Sequence, residues 1–382
     1  MATTSSRRTA RVVIVSVCSV AIFGLFAAVV RQSWVTNSAS ADIVRLEGEG
    51  ATFMHPMTSL LAEIVQAQST AVRGEAVDAA GLRKAVAAVV TLDQQYGADL
   101  QTHQRLTDLS SQIEAAIAGK ESGLEAYNTY SGLVTNASNL IRQVGDTSHL
   151  IHDPDLDSYY LMDAAIVRLP DAVVLAGKAA DLVVLANQET LQGEDAVRAA
   201  VARFGVSSAA EQVSAGLTKT VNFTSRAELG SSIADRLDAF KAAADAFAPP
   251  TMSNTLSGAV DSATLAANAR RVSAAATPLT HRLLYELQEL LDARSAKLST
   301  QWRFTAIAAG VAGVLGLALL WTFVMRRPRH RRPESSADGK PDDAARDLSL
   351  GSMNARELLE AEEFVHVGRS VRARTLERDN AR

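Results

Sequence analysis

Residues 82–117 read LRKAVAAVVTLDQQYGADLQTHQRLTDLSSQIEAAI. Leu82, Val86, Val89, Leu92, Tyr96, Leu100, His103, Leu106, Leu109, Ile113 and Ile117 follow one another there at steps of three or four. That spacing predicts one long amphipathic α-helix, because residues so spaced share a helix face. The neighbouring sequence extends the pattern. Residues 57–153 and 171–248 contain no proline and are rich in Ala and Leu, which favours helix. No period-two run of β-branched residues competes outside the most apolar segments, so the fold class is all-α. Helices are expected near 42–72, 76–118, 121–149, 154–191, 194–226, 231–247 and 252–303. Gly74, Gly119, Gly193 and Gly230 fall near the breaks, and Pro170 and Pro278 should kink helices or mark irregular turns. A last helix of about 52 residues is too long for one compact four-helix bundle. The expectation is therefore an elongated antiparallel helical bundle of two modules stacked end to end.

Further outward lie two uncharged runs, Val12–Val30 and Phe304–Met325, of 19 and 22 residues. Each matches the ~20 residues that carry a helix across a bilayer. Arg7, Arg8 and Arg11 precede the first; Arg326, Arg327, Arg329, Arg331 and Arg332 follow the second. Basic flanks at both outer ends predict cytoplasmic termini. Residues 1–11 then form a cytoplasmic N-terminus, 12–30 and 304–325 transmembrane helices, and 31–303 an extracytoplasmic helical domain of a cell-membrane protein. Trp34, Trp302 and Trp321 fall at the expected membrane–water boundaries. A competing reading makes the first run a signal peptide cleaved after Ala39-Ser40-Ala41, but 19 apolar residues exceed the usual signal core.

The chain has 382 residues, a formal net charge of -4, 47% hydrophobic residues and one cysteine, Cys18. That excludes a disulfide framework and a wholly disordered chain, and argues against a nucleic-acid partner. There is no Gly-rich phosphate loop, Gly-x-Ser-x-Gly elbow or Cys/His pair, so neither an enzyme nor a cofactor is expected.

The most distinctive segment is His152-Asp-Pro-Asp-Leu-Asp-Ser-Tyr-Tyr-Leu-Met-Asp163. Asp153 can cap a helix, Pro154 suits its first position, and Asp155 and Asp157 place negative charge at the positive end of its dipole. The same carboxylates could hold a cation, yet EF-hand spacing is absent. His149 and His152 are three apart without the Glu of a metalloprotease, and no metal is expected. Asp153, Pro154, Asp155, Asp157, Ser158, Tyr159, Tyr160 and Asp163, continued by Ala164–Pro170, resemble a motif in the periplasmic sensor regions of bacterial methyl-accepting chemotaxis receptors. Glu47–Gly74 is more loosely similar. The resemblance implies an all-helical ligand-sensing region, and it assigns no ligand contact. Beyond residue 325, however, there is no HAMP linker, methylation helix or kinase histidine box.

Residues 326–353 read as a basic, disordered linker. Within 354–382, Asn354 and Glu357 form a capping box, and Leu358, Phe364, Val365 and Val371 belong to an apolar stripe that could dock a cytoplasmic protein or a second copy. The leading expectation is a membrane-bound, homodimeric sensor that binds a small molecule and signals through a separate partner. The alternative is a scaffold protein of the envelope whose helical domain binds another protein.

Overall fold

The computed structural model describes residues 3–152, 156–187, 193–223, 229–248 and 261–325, with side chains described for most of them between Gly24 and Trp321. Among these residues the chain is almost entirely helical and contains no strand. The first compact unit is Met1–Thr322; of the second, Phe323–Arg382, only the end of the last helix is described. The docking residues Leu358, Phe364, Val365 and Val371 lie outside the described residues.

Among the described residues the α-helices are, in order, α1 Thr3–Val72, α2 Ala79–Leu100, α3 His103–Gly119, α4 Gly123–Thr147, α5 Leu156–Met162, α6 Leu169–Asn187, α7 Gly193–Phe223, α8 Leu229–Phe247 and α9 Ser262–Met325. α1 and α9 each run without a break through the apolar runs 12–30 and 304–325. Among the described residues no helix is long and apolar enough to cross a membrane. Side chains of the second run are described continuously only through residue 318, and those of the first only in part.

The single helix expected over 82–117 is instead two. Gln101 adopts a left-handed backbone (φ 57°), the Thr102 N–H bonds back to the Gly97 carbonyl, and α3 returns antiparallel to α2. Arg83 accordingly pairs with Glu114 at 2.8 Å. The corner is fastened by Asp93, nearly buried, which accepts from the Thr102 hydroxyl at 2.5 Å and lies 2.6 Å from His103 Nδ1. Glycine is needed at 97, because a Cβ there would overlap the His103 ring.

Pro170 follows an irregular turn. Residues Asp163–Arg168 form a π-helical turn, with the Leu169 N–H reaching back five residues to the Ala164 carbonyl. Proline cannot supply the next N–H, and the wider turn relieves its clash with the preceding carbonyls.

One contiguous core takes side chains from every described helix, with Phe53, Met57, Leu60 and Ile64 of α1 fully buried in it. The same stretch of α1 meets both halves of the chain: Gly50 abuts Ser148, the residue that caps the C-terminus of α4, Thr52 bonds Gln288 of α9, and Val65 abuts Gly177 of α6. One interval of α1, residues 50–65, thus carries contacts to helices from both halves of the chain. The buried core positions of α9 run only from Leu265 to Leu291, and the remainder continues past the core.

Candidate functional site

α1 and α9 are antiparallel partners over a long interval. Trp34 faces Trp302 with ring centroids 4.9 Å apart, Arg294 lies 3.5 Å from Glu47, Gln288 donates to Thr52 at 3.0 Å, and His281 bonds Ser59 at 3.0 Å. Past Trp302, α9 presents Phe304, Ile307, Val311, Val314, Leu315 and Leu317 as exposed residues. An exposed apolar surface of that length is unfavourable in water and marks a site of burial in something else.

The motif at 153–163 reaches this pair of helices. Asp153, Pro154 and Asp155 lie outside the described residues, so the capping reading falls there; Asp157 belongs to α5, but its side chain is not among those described. Ser158 is fully buried and accepts from Arg294 Nη2 at 3.4 Å, which joins α5 to the ion pair between α1 and α9. Tyr159 is exposed and meets Tyr160 edge-on at 5.3 Å; the Lys219 ammonium of α7 sits 5.1 Å above the Tyr160 ring. Asp163 pairs with Arg168 at 3.2 Å across the π turn. His149 has a positive φ of 64°. The structure thus brings Ser158, but not the two tyrosines, to the charged layer between α1 and α9. Among the described residues no group of three or more His, Cys, Asp or Glu could hold a metal ion.

Two further polar layers on α1 escaped the sequence reading. The first is a seam with α9, where His55 and His281 face each other at 5.4 Å. Burial lowers the pKa of both rings, and the neighbouring His281 lowers that of His55 further. Pro56 and Pro278 lie inside the two helices close to this level, and each removes one helical hydrogen bond. The seam is therefore polar and titratable, and each of its helices lacks one backbone hydrogen bond near it.

The second layer lies between α1 and α6, where Asp181 is fully buried and accepts from Gln68 Nε2 at 2.9 Å. Desolvation pushes the Asp181 carboxyl up to about 6, against the opposing bonds from Ser69 and Gln68. A lone carboxylate in the otherwise apolar run 179–185, AADLVVL, was the available signal. A buried acid that titrates near neutrality is the kind of group found at functional sites. Beside it, Gln68, Val65, Tyr127, Ser131, Val134, Thr135, Val174 and Lys178 line a cavity of about 190 Å³ between α1, α4 and α6. The helices close on it because α6 carries glycine at 177, where a Cβ would overlap Val65 Cγ1.

Comparison with protein-family models, curated proteins and solved structures returns no match for this chain.

Proposed function

We propose that this chain is a two-span bacterial membrane protein whose helical bundle, residues 31–303, lies outside the cytoplasm, senses a small molecule and signals through a separate partner. Both termini face the cytoplasm, the spans are 12–30 and 304–325, and the tail beyond 326 carries the docking helix. The observation that carries this reading is the continuity of α1 and α9 from the core into the two apolar runs, with Trp34 against Trp302 where the runs begin. A change between α1 and α9 outside would then be delivered to both spans at once. The exposed apolar side chains from Phe304 to Leu317 support burial in lipid, and the motif at 153–163 supports the likeness to chemoreceptor sensor regions. No catalysis and no cofactor belong to this reading.

The scaffold reading has one observation of its own. Val197, Val201 and Phe204 form an exposed apolar stripe on α7, with Phe204 74% exposed, and such a stripe suits a protein partner. The topology is tested by a reporter fused after Arg332 together with a thiol introduced near residue 120. The reporter should be active only in the cytoplasm and the thiol labelled from outside; a thiol labelled only after lysis contradicts the two-span reading.

A further inference from the structure

We propose that the groove between α1 and α9 just outside the apolar runs holds the headgroup of an aminophospholipid, phosphatidylethanolamine in kind, with its phosphate at Arg303 and its ammonium at Asp42. This rests on the two-span reading in one respect, that Trp34 and Trp302 stand at the outer surface of the bilayer.

The argument begins with the tryptophan pair. Trp34 and Trp302 are both exposed although their rings lie 4.9 Å apart. Beside them the two helices leave a cavity of about 450 Å³, with Trp34, Leu298 and Trp302 in its wall. The two charged side chains that line it are Arg303 and Asp42. Arg303 adjoins Trp302 and marks the end next to the apolar runs; Asp42 marks the outer end, about 12 Å from Trp34 along α1. The groove is thus apolar along its sides, cationic towards the bilayer and anionic away from it. An aminophospholipid headgroup has the complementary order, with phosphate nearest the chains and ammonium outermost.

Each end selects its group. The Arg303 guanidinium presents a fork of donors that matches phosphate oxygens, and Arg31, three residues before Trp34, adds a second positive charge at that boundary. Two hydroxyls in the lining decide the kind of cation. Ser38 donates to the Val35 carbonyl at 3.1 Å, and Ser299 donates to the Ala296 carbonyl at 2.8 Å. With their protons committed to the helix backbone, both oxygens can only accept. The Asp42 carboxylate adds further acceptors. A primary ammonium brings N–H donors to these groups, whereas the quaternary nitrogen of choline has none. A glycerol headgroup brings donors but no positive charge for Asp42. The glycerol and ethylene carbons cover the exposed faces of the two tryptophans. Because Asp42 belongs to α1 and Arg303 to α9, one headgroup ties the two helices together where the apolar runs begin.

The test uses the full chain in detergent micelles, titrated with phosphatidylethanolamine, phosphatidylcholine or phosphatidylglycerol of identical acyl chains and read by native mass spectrometry. One phosphatidylethanolamine should be retained about tenfold more tightly than either other lipid, the size of one charge-assisted hydrogen bond. Asp42→Asn should abolish that preference, and Arg303→Gln should weaken retention of all three lipids. Both residues are exposed, so both variants should keep the helical circular dichroism of the parent. Equal retention of phosphatidylethanolamine and phosphatidylcholine overturns the proposal, as does a preference that survives Asp42→Asn. The topology is checked apart from the site, by the thiol near residue 120 in whole cells. Selective retention with a thiol labelled only after lysis keeps the site and removes the two-span reading. A thiol labelled from outside without selective retention removes the site alone.

Discussion

The two polar layers on α1 respond to protons in opposite directions. At His55 and His281 the folded state lowers both pKa values, so it holds fewer protons than the unfolded chain below about 6.5. The stability contributed by the neutral pair is present above that value and is lost as pH falls through the folded pKa values. At Asp181 the folded state raises the pKa from 3.8 to about 6. Its contribution is fully present below 3.8 and is lost as pH rises through about 6. Acid therefore loosens the contact of α1 with α9 and tightens its contact with α6. One helix carries two couplings of opposite sign, one on the seam that leads to the apolar runs and one beside a cavity.

The largest expected effect breaks the second layer. Asp181→Asn removes a buried charge and keeps the shape. A shift of this size corresponds to about 3 kcal/mol when the carboxylate is ionised, so chemical denaturation at pH 8 should show a stabilisation of about 1–3 kcal/mol. The gain should vanish near pH 4, where the wild-type carboxyl is protonated. Equal stability of the two proteins at pH 8 removes Asp181 from the account.

Next in size is the close approach that shapes the cavity. Gly177→Ala places a methyl group against Val65 and should cost about 1–3 kcal/mol, read from the urea midpoint. The loss should shrink when Val65→Ala is added, because the two sites touch and are coupled. Additive losses would mean that the contact is not the cause.

The smallest effect sharpens the first layer. Replacing both histidines, His55→Gln with His281→Gln, should leave the melting temperature at pH 7.5 nearly unchanged and reduce its fall between pH 7 and pH 5. A fall as steep as in the wild type would show that other groups carry the acid response.

These layers also mark where the sequence was readable. The helical class follows from stripes and proline-free stretches, and those are properties of local sequence. The corner at Gln101 is hidden because α2 and α3 both bury a face in one core. Leu100, His103 and Leu106 keep the helical step across a chain reversal. Only the group Asp93, Gly97, Thr102 and His103 betrays it, and that group is intelligible once the chain has turned. Helix length is a poor guide to the packed core, because much of α9 lies beyond its buried positions Leu265 to Leu291. At the site, Ser158 was singled out as part of a motif, yet its partner Arg294 is 136 residues away. Asp181 was visible as a charge in an apolar run; its meaning depends on Gln68, 113 residues earlier.

The account stands on α1 and α9 emerging together, outside the cytoplasm, into two membrane spans. Its most direct test is oxidative cross-linking in whole cells of the full-length chain carrying Cys18→Ser, Trp34→Cys and Trp302→Cys. The account predicts a rapid intramolecular disulfide that prior treatment with a membrane-impermeant thiol reagent prevents. A pair that never cross-links, or one that the impermeant reagent leaves untouched, would contradict it.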